Sequence, residues 1–127
     1  MKDIMITAED IRILAVLNDT VAAKDFEKRM PFKAVCHDSG IDYCGSTAIG
    51  YFNPLETQAG WKNGDISIAG GWFTILYGDE EHSKKYKDLM VIAHIDEEYL
   101  PLVHKLPETI HVKVDYQKDS SIQNNKE

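Results

Sequence analysis

Two cysteines and a histidine lie close enough in the sequence to suggest metal or redox chemistry. Cys36, His37 and Cys44 carry the thiols and imidazole that zinc prefers, and Asp38 or Asp42 could add a fourth ligand. Their spacing matches no standard zinc motif, however, and alternation along a strand puts Cys36 and His37 on opposite faces. Nothing nearby lowers a thiol pKa, as a redox pair would need. We therefore predict two reduced cysteines, no metal and no cofactor.

The other polar groups that could act chemically are isolated. The carboxylate and ring of Asp42-Tyr43 could orient a ligand, but Asp42 could equally cap a turn. His94 lies in an apolar stretch, as a hydrogen-bonded structural histidine would, and His111 lies on the polar face of a strand. The sequence contains no Ser-His-Asp order, phosphate-binding glycine loop or HExxH helix. None of the common catalytic motifs therefore assigns a reaction.

Composition limits the kinds of partner. The 127 residues are the size of one domain, and the net charge of −7 opposes binding to nucleic acid or to an anionic membrane. No apolar run approaches the ~20 residues of a membrane span. The first residues have no signal-peptide pattern, and two cysteines suit a reducing compartment. We expect a cytoplasmic location.

The segment 64–78 predicts a central β-hairpin. Ile66 and Ile68 alternate with polar residues, and Gly70-Gly71 suits a tight two-residue turn. The second strand, from Trp72 onwards, is apolar on both faces, so we expect it to be covered on both sides.

Shorter patterns place the remaining elements around this hairpin. Alternation predicts strands at 4–7, 11–17, 32–37, 41–45, 48–52, 89–95 and 109–116. Helices are expected at 21–30, after three possible N-caps at 18–20, and from about Glu98. A turn centred on Gly40 would place Cys36 opposite Cys44 and His37 opposite Tyr43. The charged segment 78–88 is expected to be an exposed loop. Residues 1–117 then form one domain and 118–127 a polar tail.

Four short motifs, in this order, resemble the cyclophilin-like β-barrel, and most closely its small bacterial domains of unassigned function. The motifs are Ala23-x-x-Phe26-x-x-x-Met30-Pro31, Gly64-Asp65-Ile66, Phe73-x-Ile75-x-Tyr77-Gly78 and Ile92-x-x-Ile95. The resemblance covers residues 4–116. It implies a mainly β fold, a single closed barrel with two short helices.

Cyclophilins themselves are peptidyl-prolyl isomerases, and this sequence departs from their pattern. The resemblance implies an arginine on the strand after the first helix, but residues 32–37 contain none. The next strand lacks the family's glutamine. Phe73 matches the family's phenylalanine, whereas its tryptophan and histidine have no aligned match and only His82 lies in the following loop. The resemblance thus implies the fold more firmly than the activity.

Three functions remain open. The first is a non-catalytic module that binds a peptide or small molecule, the second a weak or divergent peptidyl-prolyl isomerase, and the third an interaction subunit for a basic protein. The resemblance implies a site on the outer barrel surface between the 38–43 turn and the 78–88 loop. The candidate ligand-binding residues are His37, Asp42, Tyr43, Trp72, Phe73 and His82. Alternatively, the loop is simply solvated and the aromatic residues fill the core. The oligomeric state stays undetermined.

Overall fold

Eight antiparallel strands close into a barrel in the computed structural model, which describes residues 1–117. In chain order they are β1 (Lys2–Ala8), β2 (Ile11–Leu17), β3 (Phe32–Asp38), β4 (Asp42–Ser46), β5 (Asp65–Ala69), β6 (Trp72–Leu76), β7 (Val91–Ile95) and β8 (Thr109–Tyr116). Around the barrel they run β1-β2-β7-β5-β6-β4-β3-β8, and β8 pairs with β1 to close it. The predicted tail, 118–127, lies outside the described residues.

Helices occupy the connections between strands. The two α-helices of the described residues are α1 (Val21–Glu27) and α2 (Leu100–Val103), and short 3-10 helices cover Pro54–Glu56, Glu80–Lys85 and Glu97–Tyr99. The predicted mainly β barrel with two short helices is therefore confirmed. Within residues 1–117, none of the helices is long and apolar enough to cross a membrane.

Alternation along the strands fills the barrel interior. All seven side chains predicted to be buried are so, which confirms the strand pattern. They are Ile66, Ile68, Ile75, Val91, Ile95, Val112 and Val114. Phe26 of α1 joins them, with its ring centroid 4.8 Å from that of Phe32 and 6.0 Å from that of Phe73. Helix α1 thus packs its apolar face against the strand core.

Helix α1 begins as predicted but ends three residues early. The Thr20 side chain caps it by accepting a hydrogen bond from the Ala23 amide at 3.1 Å. The predicted end at Met30 is wrong, because the amides of residues 28–30 bond three residues back instead of four. Met30 precedes Pro31, a position that disfavours α conformation.

The β5–β6 hairpin has the predicted two-residue turn. Gly70 and Gly71 have φ values of 58° and 87°, which glycine adopts without strain. The prediction that both faces of β6 are covered is wrong at Trp72, which is 51% exposed. Leu76, farther along the same outer face, is buried. One end of β6 therefore lies open to solvent.

The β3–β4 hairpin is shifted by one residue from the predicted register. His37 lies opposite Cys44 and Asp38 opposite Tyr43, so the predicted pairing of Cys36 with Cys44 is wrong. The Ser39 amide bonds to the Asp42 carbonyl, which makes the turn centre fall between residues 40 and 41 rather than on residue 40. Because side chains alternate, this shift changes which groups face one another.

Two connections differ from their predicted form. Residues 48–52 form no strand, and the backbone there bonds to side chains of α1 and the turn after it. The 78–88 segment is mostly exposed, as predicted, but it contains the 3-10 helix Glu80–Lys85. Buried Ser83 anchors this helix, because its hydroxyl accepts a hydrogen bond from the Trp61 amide at 2.9 Å.

Candidate functional site

The outward side chains of β3, β4 and β6 form the surface that the sequence resemblance implies for ligand binding. His37 lies opposite Cys44, and Cys44 lies opposite Thr74, so the three share one row across the strands. The row extends to β8, where Thr109 Oγ1 lies 3.1 Å from His37 Nδ1, and to β5, where Ser67 bonds to the Thr74 hydroxyl. This wall offers short hydrogen-bonding side chains and a single imidazole.

The six predicted site residues do not form one cluster. Among residues 1–117, no hydrogen bond or aromatic contact joins any two of His37, Asp42, Tyr43, Trp72, Phe73 and His82. Phe73 lies wholly inside the barrel and offers no surface to a ligand bound outside. Asp42 and Trp72 lie at opposite ends of the β4–β6 pairing, roughly 13 Å apart along the strands.

Asp42 helps to hold the β3–β4 turn. The Ser39 hydroxyl donates a hydrogen bond to Asp42, while Asp38 accepts bonds from the Gly40 amide and from the Tyr77 hydroxyl. Burial raises the pKa of Asp42; the bond from Ser39 opposes this shift, and the charge of Asp38 adds to it. Burial, with the bond to Asp38, also raises the pKa of Tyr77. Both carboxylates thus have structural partners.

Tyr43 points into the core and joins β4 to the segment after α2. Its hydroxyl lies 2.9 Å from the Leu106 carbonyl oxygen and 2.8 Å from that of Pro107, and it donates to these oxygens. Burial raises the pKa of Tyr43, so its hydroxyl stays protonated. The Tyr43 hydroxyl therefore bonds to the backbone of the protein itself and not to a ligand on the surface.

The two cysteines lie on opposite sides of the barrel wall. Cys36 is buried in the core, whereas Cys44 is half-buried on the outer face, and both are free. Burial raises the pKa of Cys36 to about 12, and burial with the nearby charge of Asp42 raises that of Cys44. Both thiols therefore remain protonated at neutral pH and are poor nucleophiles.

His82 lies on the exposed surface of the 78–88 segment. Its Nδ1 lies 2.8 Å from Asp79 Oδ1, and that hydrogen bond raises the pKa of His82. Ligand atoms of Asp79, Glu81 and His82 lie within 4.8 Å of one another. Exposed acidic groups of this kind are common on protein surfaces that bind no ion, so the trio alone does not indicate a metal site.

His94 lies between two carboxylates on the opposite side of the barrel. Its Nδ1 is 2.8 Å from Asp65 Oδ1, and its Nε2 is 2.8 Å from Glu97 Oε2. Asp65 is buried and also accepts a bond from the Lys62 amide at 2.9 Å, so its position is fixed. Burial lowers the pKa of His94, but the bonds to Glu97 and Asp65 outweigh it and the net shift is upwards.

The surface carries an apolar patch that the sequence-based predictions did not include. Ten large apolar side chains are exposed within the described chain, and four of them fall in residues 49–55. Trp72 follows the hairpin tip, whose Gly71 lies against Ile49. We call this set the apolar patch: Ile49, Tyr51, Phe52, Leu55 and Trp72. Leu55 is 91% exposed and Ile49 74% exposed.

Polar contacts beneath the apolar patch hold its backbone in place. Asp25 Oδ2 accepts a hydrogen bond from the Tyr51 amide at 3.2 Å, and Arg29 Nη1 donates to the Ala48 carbonyl at 3.1 Å. Glu56 Oε1 accepts from the Val21 amide at 2.9 Å. Helix α1 and the turn after it thus bind the inner side of the segment, and its apolar side chains are left facing solvent.

A signal for this patch was present in the sequence. Apolar residues alternate poorly across 49–55 and are interrupted by Gly50, Asn53 and Pro54, which disrupt regular strands. Large apolar side chains in such a segment indicate either a buried loop or an exposed binding surface.

The cyclophilin-like family model matches residues 6–115. The chain belongs to the cyclophilin-like family. No curated protein matches the chain. The family match covers all eight strands at least in part, so it agrees with the closed barrel.

The arginines of this cyclophilin-like domain lie away from the outer face of β3, β4 and β6. The sequence contains two, Arg12 and Arg29. Arg12 projects from the outer face of β2, and Arg29 bonds to the segment beneath the apolar patch. Lys33, the cation on β3, lies opposite Lys113 of β8 and four residues from His37. The outer face of β3, where the sequence resemblance implies an arginine, therefore carries Lys33 instead.

Proposed function

We propose that this cyclophilin-like domain is a non-catalytic module that binds an apolar peptide segment on the apolar patch. The observation that carries the proposal is the concentration of exposed apolar side chains in residues 49–55 above a backbone fixed by α1. Exposed large apolar side chains that are concentrated in one segment are typical of an interaction site. Because the backbone is already held, binding need not order it, and less conformational entropy is lost.

The charge of the chain indicates the composition of the peptide. With a net charge of −7, the domain attracts cations over several ångströms and repels acidic partners. Glu56 and Asp25 lie beside and beneath the apolar patch. We therefore propose a ligand with an apolar centre and lysine or arginine at its ends, and cytoplasmic proteins as its source.

Peptides of matched composition test the proposal directly. A fluorescein-labelled peptide with an apolar centre and lysines at both ends is expected to bind with saturable polarisation. The same peptide with terminal glutamates, or with a serine centre, is expected to bind more weakly. Leu55→Ser is expected to weaken binding about tenfold, because it removes an apolar side chain from the contact.

A control variant distinguishes peptide binding on the apolar patch from binding on the outer face of β3, β4 and β6. Val35 is an exposed apolar residue on β3, and Val35→Thr keeps its shape. We expect Val35→Thr to leave peptide affinity unchanged. Loss of binding in Val35→Thr with retention in Leu55→Ser would place the ligand on the sheet and contradict the proposal, as would equal affinity for all three peptides.

A further inference from the structure

A second surface of the barrel carries a row of positive charge. We propose that this row binds a small ligand carrying two or more phosphate groups. Arg12 of β2 lies opposite Thr7 of β1, Thr7 lies opposite Lys113 of β8, and Lys113 lies opposite Lys33 of β3. Each of the four alternates with inward residues and points outwards. We call Arg12, Lys113 and Lys33 the basic row.

Repulsion within the basic row destabilises the folded protein when no anion is bound. Lys113 and Lys33 are direct cross-strand partners, and like charges in that position destabilise a sheet. None of the three cations lies within 4.0 Å of a carboxylate in the described part of the chain, although acidic residues outnumber basic ones by 21 to 14. By contrast, Lys2 lies 3.3 Å from Glu27. A bound anion would remove the repulsion.

Two grooves meet at Lys113. The first, of about 330 Å³, runs past Thr7, Arg12 and the acidic Asp115, and the second, of about 570 Å³, runs past Lys33 and His111. Lys113 lines both, so a ligand that follows the basic row contacts it from either side. Thr7 lies between Arg12 and Lys113 in the strand register, so its hydroxyl is available to donate a hydrogen bond to the same ligand.

The dimensions and surroundings of the basic row favour a short ligand. Neighbouring strands lie about 4.8 Å apart, so three steps from Arg12 to Lys33 span about 14 Å. Glu9, which lies 3.4 Å from His111 Nδ1, and Asp115 of β8 border the row with negative charge. Together with the net charge of −7, these carboxylates oppose a long polyanion such as nucleic acid.

Titration with inorganic tripolyphosphate at physiological salt tests the site. Saturable shifts of backbone amide resonances are expected in β1, β2, β3 and β8 along the basic row, with weaker binding of single phosphate. Lys113→Gln is expected to weaken affinity about fivefold, and Lys33→Gln and Arg12→Gln somewhat less. Lys105→Gln, which removes an exposed lysine near α2, is the control and should leave affinity unchanged.

The unfolding midpoint of Lys33→Gln gives a second test. A lysine that only stabilised the fold would lower the midpoint when replaced, whereas a lysine held for ligand binding should not. Lys33→Gln is expected to raise the unfolding midpoint of the free protein, because it relieves the repulsion from Lys113. Tripolyphosphate is then expected to raise the midpoint of the wild type more than that of the variant.

Several results would overturn this site. These are unsaturable binding, an equal loss of affinity in Lys105→Gln, or tighter binding of a single-stranded oligonucleotide than of tripolyphosphate. The proposal is independent of the peptide-binding function, because Leu55→Ser should leave tripolyphosphate affinity unchanged.

Discussion

The hydroxyl of Tyr43 links the strand core to the segment between α2 and β8. We predict that Tyr43→Phe lowers the free energy of unfolding by about 1–2 kcal/mol, because the carbonyls of Leu106 and Pro107 lose their donor. Chemical denaturation measures the change. Tyr51→Phe, which alters an exposed ring, is the matched control and should have no effect. Equal stability of Tyr43→Phe and the wild type would contradict this structural role of the hydroxyl.

His94 predicts a pH dependence of stability. Its pKa is raised in the folded protein by Glu97 and Asp65, so its contribution is fully present below the unfolded pKa of about 6.5 and is lost as the pH rises through the folded pKa. The wild type is therefore expected to lose stability relative to His94→Gln as the pH rises above about 6.5. Thermal unfolding over a series of pH values on both sides of about 6.5 measures the difference.

Comparison with His94→Gln separates this effect from that of His82, whose pKa is also raised. NMR titration of the His94 ring gives the pKa itself. A value at or below that of a free histidine, or the same pH dependence of stability in both proteins, would contradict the assignment.

At the scale of elements, α1 determines how the apolar patch is presented. A Cβ at Gly50 would lie 2.2 Å from Asp25 Oδ2 and 3.0 Å from Arg29 Nη2, so Gly50→Ala must displace the carboxylate. We predict faster hydrogen exchange at the Tyr51 amide, a loss of about 1 kcal/mol in stability and weaker peptide binding.

Gly78→Ala is the matched control for this substitution. A Cβ there makes only ordinary contact, 3.8 Å from Ile41 Cα. It should leave exchange at Tyr51 unchanged. If Gly50→Ala and Gly78→Ala behave alike, the segment is not held by α1 in the way described.

Local sequence patterns predicted the long strands but not the β3–β4 register or the structure of residues 48–52. Period-two alternation was sufficient for the long strands, as in Thr109–Tyr116, because one face must be buried. The β3–β4 register was missed because it depends on whether the turn centre falls on Gly40 or beside it. Residues 48–52 looked like a strand, but their backbone bonds to Asp25 and Arg29, and such distant partners leave no local pattern.

At the scale of the molecule, the barrel could be predicted and the candidate site could not. Motif order carried the fold, since each motif occupies a core position of the barrel, as Phe26 and Phe73 do. Because Phe73 and Tyr43 are buried in the same core, neither can contact a ligand on the outer surface as predicted. Residue type alone does not distinguish an aromatic side chain that packs the core from one that binds a ligand.

The whole domain is expected to be a poor prolyl isomerase. Turnover of a model proline peptide should be near background, because the outer face of β3 has no guanidinium and Lys33 lacks its planar set of donors. A protease-coupled isomerisation assay measures the rate. If Lys33 did serve, Lys33→Ala would abolish the residual activity. A rate comparable with that of ordinary cyclophilins would contradict this prediction.

Chemical-shift mapping with the lysine-flanked apolar peptide is the decisive test of peptide binding at the apolar patch. The largest amide shifts are expected in residues 48–56 and 70–73, with the Trp72 side-chain resonance moving on saturation. Shifts centred on residues 35–44 and Thr74, or no saturable shifts with this peptide, would contradict it.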